Sequence, residues 1–347
     1  MSLIERRRFL SAASALLAVT AAGAPSVVHA QRSPPSPYRI ALVPDFGPSA
    51  GEWGKSNVKI LTDSLRQWGR IEGRDYVFYY SGVQYGPQTK LAVDRALDAK
   101  PDLMIVLNLG YAINARKRTH TIPIVLWAGG FPVETGVAKS LARPGMNVTG
   151  CMLFDAEGKF FGKLVDLLHQ VKPSMKRVGF FMTYVPPFHP RVEADLITKG
   201  ARDAATVLGI DLRVFEIANS AQVDEALAQV DAQGIEGLVF TSDPVMSVRR
   251  NDIMKFAVTK RLPTIGDTPG WLRAKPQSLL VYQAPLDTLL KQVGPFIERI
   301  LWEGVRPGDL PIQLPATYKL NVNLKTAAAI GLAVPQSVLV QADEVIE

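Results

Sequence analysis

The hydrophobic positions of this chain fall into two sets that follow one order. In the first set the apolar run Arg39–Val43 precedes a helical pattern, Gly73 and a second run, Tyr76–Tyr80. In the second, Arg177–Met182 precedes a helical pattern, Gly209 and the run Leu212–Glu216. Leu103–Leu107 and Leu238–Thr241 make a third pair, each behind an Ala/Leu-rich stretch, and Thr121-Ile122-Pro123-Ile124 and Arg261-Leu262-Pro263-Thr264 open a fourth. Each member of the second set lies roughly 135 to 140 residues after its counterpart. Short apolar runs bounded by turn residues read as buried strands. The stretches between them carry helical spacing, as with Val58, Leu61, Leu65 and Trp68. Strands alternating with helices predict parallel sheets. The expected fold class is therefore α/β, with two similar lobes, each a parallel sheet flanked by helices, joined by hinge crossovers.

The stretch Ser140–Gly150 separates the two sets. It places a first lobe at 38–149 and a second at 150–282. A strand over Leu279–Tyr282 and a helix over Leu286–Leu301 return the chain to the first lobe through 283–315. The segment 316–347 ends in a helix near Ser337–Ile346 and is assigned to neither lobe. A length of 347 residues fits this division, because a single core stops growing below that size.

Residues 1–30 read as an address. Arg6–Arg8 precede the apolar, Ala-rich stretch Phe9–Ala24, and Val28-His29-Ala30 has the small-residue spacing of a signal-peptidase site. The apolar stretch is too short for a stable membrane span. Arg6-Arg7-Arg8-Phe9-Leu10 resembles the twin-arginine export motif, with general secretion as the alternative route. No cysteine lies near the cleavage point to carry a lipid. The Pro/Ser-rich stretch 31–37 is a tether, and a periplasmic location is expected.

Charge and composition narrow the function. The formal net charge is +7, but the basic residues are scattered, without the dense basic face and aromatics that nucleic acid requires. The single cysteine, Cys151, precludes an internal disulfide and reads as a small buried residue. His120, His169 and His189 have no paired spacing, and no nucleotide-binding motif occurs, so neither metal nor cofactor is expected.

In open parallel sheets ligands bind beyond the carboxyl ends of the strands. That rule nominates Asp45, Phe46, Ser49, Asn108, Tyr111, Trp127 and Phe131 in the first lobe. In the second it nominates Thr183, Tyr184, His189, Asp243 and Asp267. The aromatics suit an apolar or aromatic ligand moiety. The helix starts after Ser49 and Asn108 would take a carboxylate. Asp243 would accept from a ligand ammonium or hydroxyl, or cap the helix beginning near Pro244. Gly47-Pro48-Ser49-Ala50-Gly51 also matches G-x-S-x-G, so a secreted serine hydrolase using Ser49 is the rival reading. The pentapeptide, however, lies in a Gly/Pro-rich loop after the first strand rather than in a tight elbow.

Ser140–Gly150 resembles the SLARPGGNVTG segment of ABC-transporter substrate-binding proteins of the tryptophan/tyrosine type, with Met146 in place of the second glycine. Thr121–Val125, Gly304–Pro311, Asn323–Ala327 and Ala342–Glu347 extend the resemblance from about Tyr38 to the terminus. It implies a periplasmic-binding-protein type I-like fold whose lobes close on a small organic ligand, with an amino acid or aromatic carboxylate in view. It further implies a monomer that is not an enzyme and that delivers its ligand to an ABC permease in the inner membrane. Gly130-Phe131-Pro132-Val133 stands where the family often has Gly-Asp-Pro-Val, and Asn108-Leu109-Gly110 where it has Gly-Thr-Pro. Thr183–Pro187 replaces an Asn-Pro-x-x-Asn loop, whereas Asp243 matches an acidic family position. A repressor-type effector core shares the two-lobed plan but needs an N-terminal DNA-binding helix pair, where this chain carries an export signal.

Overall fold

Short runs of three to seven residues become the inner strands of two sheets in the computed structural model, which describes residues 36–84, 88–185, 190–241 and 244–347. The expected export segment lies outside the described residues, as do His189 and Asp243. The first sheet contains β1 (Tyr38–Val43), β2 (Tyr76–Tyr80), β3 (Leu103–Val106), β4 (Ile124–Gly129) and β5 (Val148–Met152). Its order is β2-β1-β3-β4-β5, with every neighbouring pair parallel. The second sheet contains β6 (Arg177–Thr183), β7 (Asp211–Ile217), β8 (Gly237–Phe240), β9 (Thr264–Gly266) and β10 (Leu280–Gln283), followed by β11 (Lys319–Asn323) and β12 (Glu344–Ile346). Its order is β12-β11-β10-β9-β8-β6-β7; read from the other edge, β7-β6-β8-β9-β10 repeats the order of the first sheet. Only β11 runs antiparallel to its neighbour β10. Inner strands such as β3, β4 and β8 are buried along their whole length, which is why they read as unbroken apolar runs. The edge strand β7 instead buries Leu212, Phe215 and Ile217 between exposed polar residues.

Helices cover both sheets: α1 (Gly51–Arg66), α2 (Thr89–Asp98), α3 (Leu109–Arg118), α4 (Lys159–Val171), α5 (Arg191–Leu208), α6 (Val223–Ala232), α7 (Pro244–Thr259), α8 (Leu286–Leu301), α9 (Leu324–Ile330) and α10 (Gln336–Leu339). Helix α8 buries Leu289, Leu290, Val293, Phe296, Ile297 and Ile300 in the core around β1, β3 and β4. Pro295 inside it cannot donate to the carbonyl of Lys291, four residues earlier. The Ser64 hydroxyl of α1 donates to that carbonyl instead, at 3.1 Å. Arg70, just beyond α1, adds two hydrogen bonds to Glu298 of α8, at 2.9 and 2.5 Å.

The two halves exchange helices. Strand β5 closes the first sheet, yet the helix that follows it, α4, lies in the core of the second lobe. Strand β10 belongs to the second sheet, yet the following α8 completes the first lobe. A third segment, after the bridge between Gln313 and Cys151, returns to β11. Aromatic rings mark these passages. Phe160 stacks on Tyr282 at 5.5 Å and meets Tyr318 at 5.0 Å and Phe154 at 5.1 Å, one ring from each passage.

Two elements differ from the sequence-based expectation. The first sheet runs on through Met152, past the boundary expected at 149, because Val148–Met152 forms a fully buried fifth strand. A threonine and a glycine break its apolar pattern. Gly150 is required there: its φ is +134°, and a Cβ would lie 2.0 Å from the Leu126 carbonyl oxygen of β4. The helix expected near Ser337–Ile346 is confined to Gln336–Leu339, and Glu344–Ile346 is a strand pairing in parallel with β11. The open edge of β11 supplies that partner, and the Asp343 carboxylate accepts from Leu320 N–H at 2.8 Å. The C-terminal segment therefore lies with the second sheet.

Candidate ligand-binding site

The residues nominated at the carboxyl ends of the strands separate into those committed to the scaffold and those with unmet polar groups. After β1, the Asp45 carboxylate holds its own loop. It accepts from Gly47 N–H at 3.0 Å and from the Ser49 hydroxyl at 2.7 Å. Ser49 is exposed, and its other partner is the Gln84 amide at 3.5 Å. No histidine is among its partners within the described residues. Asn108 caps α3, accepting from Tyr111 N–H at 3.4 Å, and Tyr111 itself is fully buried.

Trp127 and Phe46 are also fully buried, with ring centroids 5.1 Å apart. Trp127 stacks near Trp53 at 6.0 Å, and its indole N–H donates to the Leu286 carbonyl at 3.0 Å, bracing the start of α8. Phe131 leaves the end of β4 and packs among Phe154, Phe160 and Phe161 of the second lobe's core. In this form the first lobe's aromatics join structure rather than form an open platform.

On the second lobe, Thr183 ends β6. Its hydroxyl is buried and has no hydrogen-bond partner within the described residues. Tyr184 follows, half-buried, with the Arg191 guanidinium 3.6 Å from its ring centre. Arg191 is tied to Glu216 by two bonds of 2.6 and 3.0 Å. Those bonds keep the exposed guanidinium firmly charged and hold the Glu216 carboxyl below its usual range. Asp267, one residue past β9, is buried.

One residue that the sequence reading passed over is Glu193. It lies in the first turn of α5 on the same stripe as Ile197, Ala201 and Ala205, and is 7% exposed. A carboxylate four residues before Ile197 on an apolar stripe was the available signal. Its side chain reaches the other lobe: a Cβ built on Gly130, just beyond β4, would sit 1.9 Å from Glu193 Oε1. A side chain at Gly130 would push the carboxyl aside. Burial, with no charged or hydrogen-bonding neighbour contributing, pushes its pKa up to about 8.

The motifs Ser140–Gly150 and Gly304–Pro311 meet where β4 and β5 begin, at the other end of the sheet. Gly145 N–H donates to the Gly308 carbonyl at 2.9 Å. Arg116 donates to Asn147 Oδ1 and to Met146 Sδ, the latter at 2.9 Å, beside a cavity of about 520 Å³. Cys151, in β5, is buried, and burial pushes its thiol up to about 12.

Known proteins share this plan. The family model of ABC transporter substrate binding proteins matches residues 55–346. A tyrosine-binding protein of Clostridioides difficile (strain R20291) is 23% identical over 286 residues, 82% of this chain and 78% of that protein. Among solved structures, a conserved domain protein from Vibrio cholerae superposes with a TM-score of 0.75 at 22% identity, covering 89% of this chain and 99% of that one. An ABC domain from Streptococcus pneumoniae in complex with L-Trp gives 0.73 at 20% identity, covering 90% and 100%. The matched span takes in every strand except β1 and both exchanged helices, and this chain belongs to the ABC transporter substrate-binding protein family.

Proposed function

We propose that the protein is the extracytoplasmic receptor of an ABC importer, binding a small organic solute where the two lobes meet and presenting it to a membrane permease. An amino acid is the solute class favoured, on the strength of the tyrosine-binding relative and the L-Trp-bound structural neighbour. The observation that carries the reading is the juxtaposition of Gly130 and Glu193. It brings the carboxyl end of β4 in one lobe against the helix that follows β6 in the other. Thr183, Tyr184, Asn108 and Asp267 border the same strand ends and are the proposed contacts, together with His189 and Asp243. Closure is a hinge motion at the three passages near Gly150, Tyr282 and Pro315. It requires tighter binding to the closed than to the open form.

The test is a thermal-shift screen of protein beginning at Gln31 against amino acids and aromatic acids, followed by calorimetry. Micromolar capture, about −8 kcal/mol, is expected for the cognate solute. Ester hydrolysis abolished by Ser49→Ala, with no solute raising the melting temperature, would overturn the receptor reading.

A further inference from the structure

On the reading of this chain as a solute receptor, we propose that Glu193 is the anchor for a cationic nitrogen of the captured solute, such as a protonated primary amine. Burying a carboxyl without a partner is costly. A position on the core stripe of α5 would normally carry an alanine or leucine. Arg191, the nearest cation along the helix, is held by Glu216 and the Tyr184 ring and does not neutralise it. What faces the carboxyl from the first lobe is the Cα of Gly130, with Leu109 beside it, and neither offers a charge.

The surroundings define what can satisfy Glu193. An acceptor can take one hydrogen bond from the protonated acid, but only a cation pairs with the carboxylate form. A cation would meet a desolvated carboxylate, where an ion pair is strongest. Ten residues earlier, at the end of the preceding strand, the buried Thr183 hydroxyl has no hydrogen-bond partner within the described residues. A nitrogen seated at Glu193 would touch the helix of one lobe and the Gly130 turn of the other, so its binding favours the joined arrangement. Since burial holds the empty carboxyl largely protonated at neutral pH, arrival of the cation transfers that proton to water and leaves the carboxylate paired.

Calorimetry at pH 7 would compare a panel of amino acids and diamines with their deaminated counterparts, in two buffers of different ionisation enthalpy. Wild-type protein and Glu193→Gln would be measured side by side. The wild type should bind a cationic member and release a fraction of a proton. Its deaminated counterpart should bind at least 30-fold more weakly. Glu193→Gln should lose roughly 10- to 100-fold in affinity for the cationic member and release no proton, with a melting temperature no lower than wild type. Unchanged affinity in Glu193→Gln overturns the assignment. Binding by the wild type of uncharged or anionic solutes alone also overturns it, but leaves the receptor reading standing. If no member of the panel binds, both fall.

Discussion

The hydroxyl of Ser64 in α1 donates to the carbonyl of Lys291 in α8, the group that Pro295 leaves without its helical partner. One bond thus repairs a helix and fastens it to a neighbour more than 200 residues away in the chain. Ser64→Ala should cost about 1 kcal/mol. In Pro295→Ala the carbonyl regains a helical donor, so adding Ser64→Ala should cost measurably less. Urea unfolding of the two single variants and the double variant checks this. Equal costs in both backgrounds would show that the proline has no part in it.

Phe160 receives Tyr282, Tyr318 and Phe154 on one ring. Phe160→Ala should destabilise the protein by about 3–5 kcal/mol, as for other fully buried aromatics. Differential scanning calorimetry would detect it. A loss below 1 kcal/mol would mean that the ring cluster is not a structural joint.

Gly150→Ala should be costly for a separate reason. The substitution sets a Cβ against the Leu126 carbonyl and adopts a backbone conformation that L residues avoid, a penalty of about 1–3 kcal/mol before any separation of β4 from β5. A melting temperature within a degree of wild type would refute the close approach.

Glu193 gives a pH dependence of defined sign. Its pKa is raised from 4.5 to about 8 in the folded protein. Between those values the native state holds a proton that the unfolded chain has lost. Stability therefore falls as pH rises from about 4.5 to 8 and levels off above. The loss is on the order of a few kcal/mol. Glu193→Gln should melt close to wild type at pH 4.5 and clearly above it at pH 9. Parallel pH profiles for the two proteins would contradict this.

Much of the architecture was legible in the sequence because buried parallel strands leave unbroken apolar runs. Tyr76–Tyr80 and the helix Leu286–Leu301 lie where the pattern put them. Val148–Met152 was hidden because Thr149 faces inward and donates to the Leu310 carbonyl at 2.8 Å, a bond that no local pattern reveals. Glu344–Ile346 was hidden because a three-residue edge strand exists only by virtue of the β11 edge it joins. For the candidate site, the strand-end rule nominates positions but cannot sort the side chains at them. Trp127 turns its N–H to Leu286 and Phe131 enters the other lobe's core, while Glu193 lies one helical turn beyond the loop that the rule nominates.

The exchange of α4 and α8 also governs how the molecule is assembled. When synthesis reaches Met152 every strand of the first sheet exists, but α1 still lacks the surface it rests on until Leu286–Leu301 has emerged. The first lobe is not complete on its own, and a gene cut between the lobes would leave it without α8, whose apolar face the other fragment would carry uncovered. Maturation of the first-made lobe must therefore wait for a helix made after most of the second lobe.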